Sequence, residues 1–233
     1  MDMLRAFIDS QDFLLLWFAL MIPSLIWVIY DLRGRNAHLM SLMKVVWALT
    51  VLYSGPIGLL IYRWSGRKEI ATDSLPRRAF RSVAHCYSGC GLGEITGVIL
   101  TAGLLSLGNL WVSVVTFLLA YVFGYALTVG PLMQDGVPLR KALWEAFLAE
   151  TPSITVMEVT AIGVSLWLAG SAHMGDIRFW SALIVSLSCG LVAAYPVNLL
   201  LIHFGVKEGM MDPRMTDHGG HDHNDHHEHA HQA

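Results

Sequence analysis

Ser82, Cys86, Cys90 and Glu94 recur every four residues in RSVAHCYSGCGLGEITGV, so on a helix they form one stripe. His85, Gly89, Gly93 and Gly97 form the stripe beside it. Two thiols one helical turn apart bind a soft ion such as Cu(I), or Zn²⁺ with help from His85 or Glu94. They also suit a thiol redox couple, although helical i,i+4 thiols are poorly placed for a disulfide. Glycines at this spacing remove side-chain bulk and let another helix approach closely, within the chain or in a homo-oligomer. A second set of chemically capable residues is Glu158, with Glu150 about two turns before it in AETPSITVME. Asn198 and His203 lie in AYPVNLLLIHFG.

A third set ends the chain. HGGHDHNDHHEHAHQA holds His218, His221, His223, His226, His227, His229 and His231, interleaved with Asp222, Asp225 and Glu228. Imidazoles and carboxylates in such a tract hold divalent metal. The tract is expected to be disordered and to act as a metal reservoir.

These groups sit in a membrane protein. Of the 233 residues, 55% are hydrophobic and 14% are charged, against about 25% charged in a soluble domain. No basic patch with interleaved aromatics points to nucleic acid. Three cysteines, Cys86, Cys90 and Cys189, do not make a disulfide framework. No Walker loop, zinc-protease motif or serine elbow is present. Residues 1–12 do not read as a signal peptide.

Apolar runs long enough for a ~30 Å core predict an all-α bundle of six spans, near 13–30, 45–62, 83–106, 110–130, 153–171 and 179–204. A short Leu-Gly-Asn turn makes the third and fourth an antiparallel hairpin. Pro152 falls in the first turn of the fifth span, and Pro196 can kink the sixth. Residues 137–150 read as an amphipathic interfacial helix. With six spans, eleven Lys and Arg fall on the N-terminal side and four on the other. Both termini are then expected in the cytoplasm of a bacterial inner-membrane protein. Three regions result: two spans and a loop over 1–78, a four-span core over 79–206, and the tail over 207–233.

Depth connects the reactive groups. Cys90, Glu158 and Asn198 each lie roughly 9–11 Å inside the inner boundary, with Glu94 a turn deeper and His85, Cys86 and His203 shallower. Glu150 is expected at the interface. An acid in the membrane costs at least a few kcal/mol unless it is paired, protonated or coordinating. The neutral acid carries a proton, and the ion holds a metal.

HCYSGCGLGE (85–94), with LTVGPL (127–132), AETPSITVME (149–158) and AYPVN (194–198), resembles a family of bacterial and archaeal polytopic membrane proteins, a domain of unknown function. The resemblance runs from about residue 80 to 205. It implies that His85, Cys86, Cys90 and Glu94 are a shared site, and it implies no activity.

The residues favour a transporter or metal-handling protein for a transition-metal ion of unknown identity. Cys86, Cys90, Glu94, His85 and His203 are the expected metal ligands. Glu94, Glu158 and Asn198 are the expected proton-coupling groups. Two other readings stand beside it. One is an intramembrane metal, haem or thiol redox enzyme, although no Cys-x₂-Cys-His haem motif is present. The other is a structural subunit that associates through Gly89, Gly93 and Gly97. The expected partners are the lipid bilayer and the metal ion.

Overall fold

The computed structural model describes residues 6–210 and 212–215. The seven tail histidines, His218 to His231, lie outside the described residues. The described chain is helical: α1 (Gln11–Arg33), α2 (Ser41–Ser54), α3 (Pro56–Ser65), α4 (Leu75–Val98), α5 (Asn109–Gln134), α6 (Leu139–Ala169) and α7 (Ile177–His203). A π-helical turn, Ile99–Leu104, extends α4. Among these, α1, α5, α6 and α7 are long and apolar enough to cross a membrane.

The helices run alternately between two ends of a bundle. One end, called the base, gathers the α1–α2 loop, the α3–α4 loop and the chain after α7. Asp31 accepts from Arg67 at 3.1 Å and from the Tyr62 hydroxyl at 2.7 Å. His38 Nε2 lies 2.7 Å from the Pro213 carbonyl. At the far end, Asp9 pairs with Arg178 at 3.4 Å, and Ile8 packs with Leu168, Ala169 and Ala182. The start of α1 and the end of α7 therefore lie at opposite ends, not together as expected.

The expected second span, 45–62, is the cause. It is two helices folded back on each other. Trp47 in α2 and Tyr62 in α3 bring their rings to 5.2 Å. In one straight helix, 15 residues of rise would hold them roughly 22 Å apart. Gly55 makes the reversal, with φ +55°. The next residue, Pro56, disfavours helical geometry at Gly55 and brings no backbone donor of its own. The 14 residues of α2 rise about 21 Å, short of the ~30 Å hydrocarbon core. The pair begins and ends at the base, α2 leading in to Gly55 and α3 leading back.

The least apolar of the long helices sits at the centre. Of the 24 residues of α4, 16 are buried. One face meets α2, where Ser88 Oγ donates to the Val46 carbonyl at 2.9 Å and the Tyr53 ring covers Gly91. A second meets α5 in antiparallel register. Gly89 lies on Gly124, Gly93 on Ala120 and Gly97 on Thr116, stepping four residues on both helices. A Cβ added at Gly89 would come within 2.8 Å of Gly124 Cα. The glycine stripe is thus filled by the chain's own α5 and is not free for a second copy. The third face carries Ser82, Cys86, Cys90 and Glu94 toward α6 and α7.

The expected amphipathic helix 137–150 and the fifth span are one helix, α6, with Pro152 inside it rather than in a first turn. Pro152 removes a single backbone donor. Ala142, Ala146, Glu150, Ile154, Glu158 and Ala161 form one buried stripe across it. Packing of that stripe holds both halves in line. The first turns of α6 stay exposed, with Trp144 and Phe147 stacked at 5.6 Å beside Arg140 and Lys141, as suits an interfacial segment.

Candidate functional site

Two buried polar groups follow one another along the third face of α4. The one nearer the base is connected throughout except at His85 Nδ1. Ser82 Oγ donates to Asn198 Oδ1 at 2.9 Å, and the Asn198 amide donates to Ser153 Oγ. Ser153 Oγ donates to Cys86 Sγ at 3.5 Å. Lys207 Nζ donates to Asn198 Oδ1 at 3.1 Å and to Glu150 Oε2 at 2.8 Å. Thr128 Oγ1 donates to Glu150 Oε1 at 3.1 Å and lies 3.5 Å from His85 Nε2. Helices α4, α5, α6 and α7 all contribute. Each polar group here is costly to bury without a partner, and the network supplies partners.

Lys207 reaches this network because the chain turns back after α7. Gly205 adopts φ +70°, and the backbone N–H groups of Val206 and Lys207 both donate to the Leu201 carbonyl, at 2.9 and 3.2 Å. Glycine takes that left-handed conformation without strain. The ammonium then points back under the bundle instead of into water.

The second group is deeper and is not satisfied. Glu158 on α6 is fully buried, and Glu94 on α4 is 4% exposed. The two carboxyls lie close enough to feel each other's charge, with the Cys90 thiol beside Glu158. Apart from the adjacent Cys90 thiol, neither oxygen of Glu158 has a hydrogen-bond partner among the described residues, and Glu94 Oε2 has none. The Tyr53 and Tyr87 hydroxyls and His85 Nδ1 are also without one. Among the described residues, no cation stands near this pair as Lys207 stands by Glu150. A narrow cavity of about 50 Å³ runs from Asn109 and Gly170 at the far end, past Thr116, Ser165 and Phe179, to Glu94. That volume admits a few water molecules.

The structure therefore brings together Cys86 and Asn198 through Ser153, and Glu94, Glu158 and Cys90 through the deeper group. His85 joins the base network through Thr128. His203 does not join: it is exposed at the end of α7, with its ring against Phe204 at 5.1 Å. The direction of the helix at its last turn carries it away from α4 and α6. Glu150 is not interfacial but buried and ion-paired. Cys189 is half-buried and outside both groups. Among the described residues, no three His, Cys, Asp or Glu side chains converge as a metal cage would require. Sequence reasoning missed Lys207, Thr128 and Ser153. The one available signal was the Gly205 two residues before Lys207, which permits the return.

A family model described as a domain of unknown function, DUF4396, matches residues 76–207, more than half of the chain. The match takes in α4 to α7 and ends on Lys207. No curated protein and no solved structure matches.

Proposed function

We propose that this chain, which belongs to the DUF4396 family, is an integral-membrane transporter in which Glu94 and Glu158 carry the proton or cation step. One observation carries the reading. Two acids on neighbouring helices lie together in the bundle interior, and among the described residues three of their four oxygens have no hydrogen-bond partner beyond the Cys90 thiol beside Glu158. Such a pair costs several kcal/mol to bury and repels itself if both acids ionise. It adds nothing to packing that Gln or Leu would not add. It holds a proton or a cation instead, and the cavity at Glu94 gives it a route to one end.

The cargo in this reading is a transition-metal ion. The thiols of Cys86 and Cys90 lie between the carboxyl pair and the base network, and thiolates favour soft ions such as Cu(I) or Zn²⁺. Ligands bind metal in their deprotonated forms, so an arriving ion displaces protons, and the acids accept them. The tail histidines, His218 to His231, extend the reading as a reservoir.

The reading has five crossings, α1 and α4 to α7, with α2–α3 dipping in from the base and returning. It puts the base in the cytoplasm of a bacterial inner membrane. Thirteen of the fifteen Lys and Arg belong to the base; Arg178 is at the far end, and Arg5 falls outside the described residues. That asymmetry is stronger than the eleven to four of the six-span arrangement. The cavity then opens to the outside, and the C-terminus lies inside.

The test uses purified protein in liposomes loaded with a pH-sensitive dye and given a zinc or copper gradient. Wild type should move protons when the gradient is imposed. Glu158→Gln should stop them, and the exposed Glu145→Gln should not. Equal fluxes in wild type, Glu158→Gln and empty liposomes would sink the proposal.

A further inference from the structure

The cavity leads to Glu94 from the far end. At the base, Lys207 and the segment that carries it cover the polar network that leads up toward Cys86, Glu94 and Glu158. Lys207 fills the space below Asn198, Glu150 and Ser153, and its ammonium is held by Glu150 Oε2 and Asn198 Oδ1. The following residues are strapped across the base. Arg81 donates to the Met210 carbonyl at 3.2 Å, His38 meets the Pro213 carbonyl, and Arg214 donates to the Ala71 carbonyl at 3.4 Å. Those partners come from the α1–α2 loop, the α3–α4 loop and α4, so the strap touches elements outside the core helices.

Burying an ion pair is seldom the cheapest way to close a helix end, since apolar side chains of similar size are commonly as good or better. The particular chemistry of this closure calls for another reason. Glu150 and Asn198 present two oxygens, and Ser82 and Ser153 hold the Asn198 amide in place from both sides. This is an oxygen-lined site for a small cation. The chain's own ammonium occupies it, on a tether that begins at Gly205, whose φ of +70° turns the chain back.

We infer that Glu150 and Asn198 form an inner cation subsite plugged by the tethered ammonium of Lys207, and that withdrawal of Lys207 opens the base to Cys86 and the carboxyl pair. The ligand class is a primary ammonium or a monovalent cation of similar size. The inference deepens the transporter reading, because it makes the present arrangement the one open to the far end alone. The subsite itself is read from geometry and does not depend on what is carried.

Cys86 reports the plug directly, because it lies one hydrogen bond behind Asn198 and Ser153. The experiment labels Cys86 with a membrane-impermeant maleimide from the base side, using full-length protein in a Cys189→Ser background. Cys86 should be protected while Lys207 is present. In Lys207→Ala, labelling should rise by about tenfold or more, because a buried charge left without its partner admits water. Added ethylammonium should restore protection by filling the vacated subsite. Tetramethylammonium, bulky and without an N–H, should not. Protection of Cys86 in Lys207→Ala would overturn the inference, and so would labelling that ethylammonium does not slow. Glu150→Gln keeps the side-chain size and serves as the second variant if Lys207→Ala yields no folded protein. It too should expose Cys86, and protection there counts against the plug. Absent proton flux with this labelling pattern intact removes the transport reading and leaves the subsite. Flux with Cys86 equally protected in wild type and variants removes the subsite and leaves transport.

Discussion

Lys207, Glu150, Glu94 and Glu158 are all buried, yet they should answer mutation in opposite ways. Lys207 and Glu150 complete each other at 2.8 Å. Removing one strands the other, at a cost of about 3–5 kcal/mol. Removing both charges costs much less, so Glu150→Gln/Lys207→Gln should unfold at a higher temperature than Lys207→Ala. Thermal unfolding in detergent measures this. Glu94 and Glu158 lack such partners. Glu158→Gln should therefore leave the melting temperature unchanged or raise it while proton flux is lost. A fall in melting temperature with flux retained would mark Glu158 as structural. The stripe Ser82–Cys86–Cys90–Glu94 was legible from spacing alone, because helical periodicity is local. The Lys207–Glu150 pair was not, since its partners stand 57 residues apart and meet only because Gly205 reverses the chain. His203 misled for a related reason: depth along a helix was readable, but the direction in which the last turn points was not.

Among the elements, the α4–α5 hairpin rests on backbone contact rather than on side chains that can move aside. Gly93 lies directly on the Ala120 backbone. Gly93→Leu should abolish the folded monomer on gel filtration, and Gly93→Ala should lower its yield. Gly163→Ala is the control, because a Cβ there meets nothing within 4 Å and α6 gains helix propensity. Equal yields for Gly93→Ala and Gly163→Ala would refute the tight contact. Hydropathy found the long apolar helices α1, α5, α6 and α7. It also placed an element at 45–62, and there it was misled. An apolar run of that length has the same composition whether it crosses or dips and returns. The Gly55–Pro56 pair in its middle is the local mark of the reversal. Its weight emerges only with Trp47 against Tyr62. The seam between residues 137–150 and 153–171 failed in the other direction: Pro152 looked like a beginning, and packing carried the helix straight through it.

For the whole molecule, the five crossings proposed above would separate the termini, and the α1–α2 loop becomes the deciding position. Ala37 is exposed in that loop. Ala37→Cys, in a Cys189→Ser background, should react with an impermeant maleimide from the cytoplasmic side, while Cys86 and Cys90 stay buried as an internal blank. Reaction from the outside would restore six crossings and place both ends of the chain together. The central position of α4 has a consequence for how the protein is made. This helix carries His85, Glu94, two thiols and six serines and glycines along its buried length, a composition poorly suited to resting alone among lipids. On emergence from the ribosome it has only α1 and the α2–α3 arms beside it, which shelter Ser88 and Gly91. Its glycine face waits for α5, and its acid and thiol face waits for α6 and α7. In the five-crossing reading, insertion of α4 is therefore a collective event, completed only when the last helix has been synthesised.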